Sequence, residues 1–146
     1  MYNGIQKVGA VVSIGRVGKI SANVISALNL SVAPDTPIYI GKTNIDHMLS
    51  SHPDDYVKYG IYIREIIATP EYVGQNPKDS SIEYVKEFQV DGEFVKVAVR
   101  VSTRGQYFAR SICAEQAVCV KLHRKRHTKK VDRANLIEYN SISTTQ

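Results

Sequence analysis

Two of the four histidines, His47 and His52, lie five positions apart in "NIDHMLSSHPDDY", the second directly before a proline. Imidazole ordinarily titrates near pH 6.5, so it can donate or accept a proton at neutral pH. A pair of them could therefore serve as general base and general acid. At about 100° per helical residue, His47 points roughly 200° away from Ile45, whereas His52 returns to within about 20° of it. The spacing thus places His52 at an inner corner and His47 on an outer face. Taken alone, His47 also reads as a solvated surface residue, and His52 as a donor to a free backbone carbonyl. A zinc site is not indicated, because the two histidines face apart and the chain has no HExxH or CxxC motif. "GRVGKIS" and "GKT" look like phosphate loops, but neither has a glycine five residues before its Gly-Lys pair. Triphosphate hydrolysis is not expected, and neither is a cofactor.

These residues have to be positioned by helices. "GKISANVISALNL" sets Ile20, Val24 and Ala27/Leu28 at helical spacing with Ser21 near the start. Pro34 and Pro37 break the chain before a short strand, "IYI". Thr43 and Asp46 approximate a capping box for the helix that carries the histidines. Pro53 suits the first position of the next helix, with Asp54 and Asp55 at its positive end. That helix is expected to reach about Ala68, with Tyr56, Tyr59, Ile63, Ile66 and Ile67 facing inward and Thr69-Pro70 as its stop. Gly60 weakens it by about 1 kcal/mol relative to alanine. "EYVGQNPKDS" reads as a turn-rich link, and residues 5–14 as an opening strand.

From residue 81 the period becomes two. "SIEYVKEFQV", Asp91-Gly92 and "EFVKVAVRVS" form a hairpin signal. A two-residue turn would set Glu87 opposite Lys96 and Glu83 opposite Arg100. Val95, Val97, Val99 and Val101 would form the core face, with Lys86 as its misfit. "QYFARSICA" reads as a third antiparallel strand. The expected fold is α+β, with N-terminal helices on one face of an antiparallel meander. The other face, bearing Glu83, Lys96 and Arg100, stays open.

The 146 residues suit a single domain and carry a formal charge of +5. Seven of the 19 Lys and Arg residues, with one of the 14 acids, fall in "KLHRKRHTKKVDR", residues 121–133; the remainder holds 12 basic and 13 acidic residues. The basicity therefore belongs to a tail suited to phosphate contact or to solvation. Two cysteines are too few for a disulfide framework, and neither a signal peptide nor a membrane span is evident. A cytoplasmic protein is expected.

"VGKISANVISALNL", "IYIGKTNIDHMLSSHPDDY", "IREIIATPEYVGQNPKDSSIEYVKEF", a valine-rich strand and "YFARSI" follow one another in an order that resembles the phage-encoded barnase–EndoU–colicin–RelE-like nucleases, over roughly residues 17–114. The resemblance implies a metal-independent ribonuclease with RNA against the open sheet face. His47, His52, Arg110 and Ser111 match the family's histidine and late-strand positions, Arg100 and Lys86 less closely. The chemistry of such cleavage makes His52 one of the expected proton-transfer pair, with His47 or Glu83 as the other. Arg110 and Arg100 would neutralise phosphate, and Ser111 would hydrogen-bond a phosphate oxygen. RNA would be held by Lys42, Lys86, Lys96 and Arg104, and by Arg124, Lys125 and Arg126 in the tail. Cleavage by the 2′-hydroxyl would leave a 2′,3′-cyclic phosphate. A toxin role, with a neutralising immunity or antitoxin partner, would accompany that class. A silent RNA-binding module and a phage structural protein are the rival readings. The expected organisation is an extension at 1–16, a nuclease domain at 17–120 and a basic tail at 121–146.

Overall fold

The computed structural model describes residues 14–116 and 137–139. The described strands form one seven-stranded sheet, ordered β1-β2-β6-β5-β4-β3-β7. They are β1 (Gly15–Ile20), β2 (Thr36–Ile40), β3 (Tyr72–Gln75), β4 (Ile82–Phe88), β5 (Glu93–Val101), β6 (Tyr107–Gln116) and β7 (Ile137–Glu138). The pairing is antiparallel except between β2 and β6, which run parallel over two rungs, Ile38↔Tyr107 and Tyr39↔Phe108. The helices are α1 (Ala22–Leu28), α2 (Lys42–Ser51), α3 (Pro53–Tyr59) and α4 (Ile63–Ala68). This is the α+β architecture that the change of period implies.

Val24, Met48, Tyr56, Tyr59, Ile63, Ile66 and Ile67 from the helices pack with Val95, Val97, Val99 and Ile112 in one core. All five residues expected to face inward from the second helical stretch are buried. The histidine stretch begins differently from its sequence reading. Gly41 is the cap residue, and its N–H donates to Asn44 Oδ1 at 2.8 Å. Thr43 and Asp46 make no box; Asp46 instead pairs with Lys42 at 2.8 Å. The long second helix is also interrupted, by a 3₁₀ turn at Gly60–Tyr62. A side chain at Gly60 would stand 3.0 Å from the Tyr56 ring, so the tight turn and the buried tyrosine are fitted together.

Three of the described strands, β1, β3 and β7, went unread. "GRVGKI" is β1, so Ile20, expected on the first helix, belongs to a strand and the helix starts only at Ala22. The presumed link after Pro70 contains β3. In β1, Gly18 faces α4, and an added Cβ would lie 2.8 Å from Ile67 Cγ2. The glycine that mimicked a phosphate loop is a packing glycine. Of residues 5–14, all but Ile14 lie outside the described residues, as does the basic segment.

The hairpin register is shifted by two residues from the expected one. Glu87 faces Phe94, Val85 faces Lys96 and Glu83 faces Ala98. The loop is Gln89–Val90–Asp91–Gly92, closed by Asp91 N–H to Phe88 O and Gly92 N–H to Gln89 O, with Gly92 at φ 67°. Asp91-Gly92 thus ends a four-residue loop instead of forming a two-residue one. A shift of two preserves which face each residue takes, so the valine face survives, although Val101 is exposed at its end.

Candidate functional site

The helix-packed face is fixed by Ile82, Tyr84, Val95, Val97, Val99 and Ile112. Residues alternating with these define the other face, since register partners share a side. Its central row is Ser111, Ala98, Glu83 and Gly74, on β6, β5, β4 and β3. The small Ala98 and Gly74 make a low floor. Arg100 and Lys96 stand on either side of Ala98 along β5, each about 6.6 Å away along the strand. Among the described residues, no helix residue joins the small apolar cluster of this face, which is Val85 and Phe94 with Tyr72 packed against them.

Arg110 owes its position to a bulge. The β5–β6 register jumps from Ala98↔Ser111 to Val99↔Ala109, leaving Arg110 as the unpaired extra residue. Ala109 and Ile112 are buried on the core side, so Arg110 and Ser111 both fall on the open face. Bulges commonly re-aim side chains in this way beside active sites. Arg110 is exposed and Ser111 half-buried.

Glu83 is held in place by two donors. Lys96 Nζ lies 3.4 Å and Asn76 Nδ2 3.2 Å from its Oε2. The side chain is only 11 % exposed, so the lysine compensates a charge that burial would otherwise penalise. Arg100 pairs not with Glu83 but with Asp79, at 3.5 Å. The two-residue register shift accounts for the difference. Hydrogen bonds from the Ser81 backbone N–H, chiefly, and from the Ser81 hydroxyl hold the Asp79 carboxyl below its ordinary pKa, with Arg100 adding to the effect. Asp79 thereby anchors both the 76–81 loop and the guanidinium.

The histidines sit beside β6. α2 and α3 pack along it beyond the point where β2 pairing ends. His52 joins the two helices at φ −141°, ψ 65°, outside helical geometry. That is the restriction a following proline imposes. Helical phase therefore does not govern its direction, and the side chain is 47 % exposed rather than turned inward. Its Nδ1 lies 3.7 Å from Asp55 Oδ2, which also accepts the Ala114 N–H of β6 at 3.0 Å. Asp55 thus ties the junction to β6 about 13 Å along the strand from Arg110. His47 is exposed on α2, as its phase implies, and Lys42 is exposed at the start of that helix. Arg104 is exposed in the β5–β6 turn.

Lys86 stands apart. It faces Val95 on the helix-packed side, and its Nζ donates to Thr69 O at 2.8 Å. It stabilises the carbonyl end of α4. A cavity of about 630 Å³ there is lined by Tyr59, Tyr62, Phe88, Glu65 and Lys86, among others. Arg124, Lys125 and Arg126 lie outside the described residues. The sequence reading missed Tyr39 and Phe108, a ring pair on the open face with centroids 6.0 Å apart. Tyr39 between buried Ile38 and Ile40 was a usable signal, but the β2–β6 pairing that makes it matter was not. Among the described residues, no group of three or more His, Cys, Asp or Glu is placed to hold a metal ion. No helix of the described residues is long and apolar enough to cross a membrane.

Residues 15–116 match the model of one family, phage-Barnase-EndoU-ColicinE5/D-RelE like nuclease3. No curated protein and no solved structure matches the chain.

Proposed function

The chain belongs to the phage-Barnase-EndoU-ColicinE5/D-RelE like nuclease3 family, and from that premise we propose that it is an endoribonuclease that uses no metal ion. RNA lies across the open face. A base removes the 2′-hydroxyl proton, and the 2′-oxygen attacks the adjacent phosphorus. The 5′-oxygen leaves with a proton from an acid, giving a 2′,3′-cyclic phosphate and a free 5′-hydroxyl. His52 is one of the proton-transfer pair. Of its two candidate partners, Glu83 has the supporting position, because it shares a row with Ser111; His47 lies on the outer side of α2. Arg110 and Arg100 neutralise the phosphorane, and Ser111 donates to one of its oxygens.

The observation that carries this reading is the bulge of β6, which presents Arg110 and Ser111 on the same face as Arg100, Lys96 and Glu83. A toxin acting in a host cytosol and restrained by a neutralising protein is the biological role we attach to it, on the strength of the phage family. His52→Ala should abolish cleavage of a broad RNA panel in EDTA while leaving the fold intact. Unchanged cleavage would remove the histidine from the reaction.

One observation favours a second reading, a catalytically silent RNA-binding module: Glu83 is already engaged by Lys96 and Asn76. Salt-sensitive RNA binding without cleavage in any metal would establish that reading instead.

A further inference from the structure

One cross-strand row of the open face sets beside Arg100 two aromatic residues that have no part in the chemistry above. Tyr39 of β2 is paired with Phe108 of β6, and Phe108 with Arg100 of β5. Successive members are about 4.8 Å apart across the sheet. The two rings are tilted at 46° and both are half-buried, so each keeps an accessible surface. The residues flanking them, Ile38, Ile40 and Ala109, are fully buried on the core side. The rings therefore stand out from the sheet on the face that bears Ser111 and Glu83, one row away along β5 and β6. At the end of the row, Arg100 is exposed with its guanidinium fixed by Asp79.

An aromatic surface beside a fixed cation is the arrangement that captures an unpaired base and its neighbouring phosphate. Aromatic rings stack any base through its π-face, while arginine holds the backbone. A duplex could not use it, because its bases are already stacked and their faces closed. We propose that Tyr39 and Phe108 form a stacking subsite for one unpaired nucleobase of single-stranded RNA, next to the phosphate held by Arg100. The inference rests on the RNA-cleaving reading and adds to it a requirement for an unstacked base at one fixed position.

The rings could instead serve only to seal the two-rung β2–β6 junction, so the test needs a readout that a structural role would not move. The full chain carrying His52→Ala is titrated with a single-stranded RNA octamer, intact or with one abasic nucleotide scanned along it. At a single position the abasic site should weaken binding on the order of tenfold. Phe108→Leu and Tyr39→Leu should weaken the intact octamer by a similar factor. The combination of abasic site and Phe108→Leu should be no worse than either alone, and Phe108→Tyr should restore the affinity. Thermal melting checks that each variant is folded. If the two losses multiply, or no abasic position matters, the subsite is overturned while the RNA reading stands. If the His52→Ala protein binds no RNA at low salt, both fall together.

Discussion

Arg110 reaches the open face because one extra residue in β6 breaks the pairing there. Nothing in the period of "YFARSICA" marks that break, so alternation from Phe108 would have put Ser111 on the core side. The placement of this arginine and serine was legible only through resemblance. Removing a cation aimed at developing negative charge typically costs 10²–10³ in rate. Arg110→Ala should lower kcat by about that factor with little change in melting temperature, since the side chain is exposed. Arg110→Lys should recover only part, because an ammonium lacks the planar fork that grips two phosphate oxygens. Single-turnover cleavage with a melting curve reads both effects. Lys86 gives the opposite expectation. Its ammonium caps α4 from the helix side, so Lys86→Met should cost about 1–2 kcal/mol of stability by leaving Thr69 O without that donor. RNA affinity should not change. A loss of affinity at unchanged stability would contradict its position.

The elements themselves were read well where their periods are long. Apart from Ile20, which falls in β1, and the break at Gly60, the helices α1 to α4 and the β4–β5 hairpin stand where the apolar pattern puts them. The misses have physical causes. β1 and β3 are short and carry glycines at Gly18 and Gly74, which dilute any alternation. The β4–β5 register slipped because two loop lengths differing by an even number leave the same faces matched, and charge pairing alone chose between them. Gly18 offers a clean test of the corrected β1. Its added Cβ would meet Ile67 Cγ2, a branch fixed close to the backbone of a buried residue. Neither β1 nor α4 can retreat without opening the core. Gly18→Ala should destabilise by about 1–3 kcal/mol, as overpacking does, measured by urea unfolding at constant m-value. A neutral result would mean that β1 does not lie against α4.

Across the whole molecule, the helix-packed layer carries stability, and the opposite face is the one to which we assign the chemistry. The stability layer is rich in buried tyrosine. Tyr59 is held well above the ordinary phenol pKa, first by burial and then by its hydrogen bonds to Glu93 and Asp91. Burial raises Tyr84 and Tyr56 as well. A raised native pKa means that the unfolded chain loses these protons first, so stability is complete below about pH 10 and falls as the pH rises beyond it. Melting temperatures should therefore drop steeply between about pH 10 and 11, and Tyr59→Phe should show a shallower drop. An equal slope in that variant would place the alkaline loss elsewhere. The proposed chemistry makes a different demand on the opposite face: it requires a 2′-hydroxyl at the bond to be cut. The most direct test is a single-stranded RNA cut by the wild-type protein in EDTA, compared with the same strand carrying one 2′-deoxynucleotide at the cut position. The account predicts cleavage of the first to a 2′,3′-cyclic phosphate and none of the second at that bond. Equal cleavage of both strands, or cleavage only when a divalent metal is restored, would contradict it.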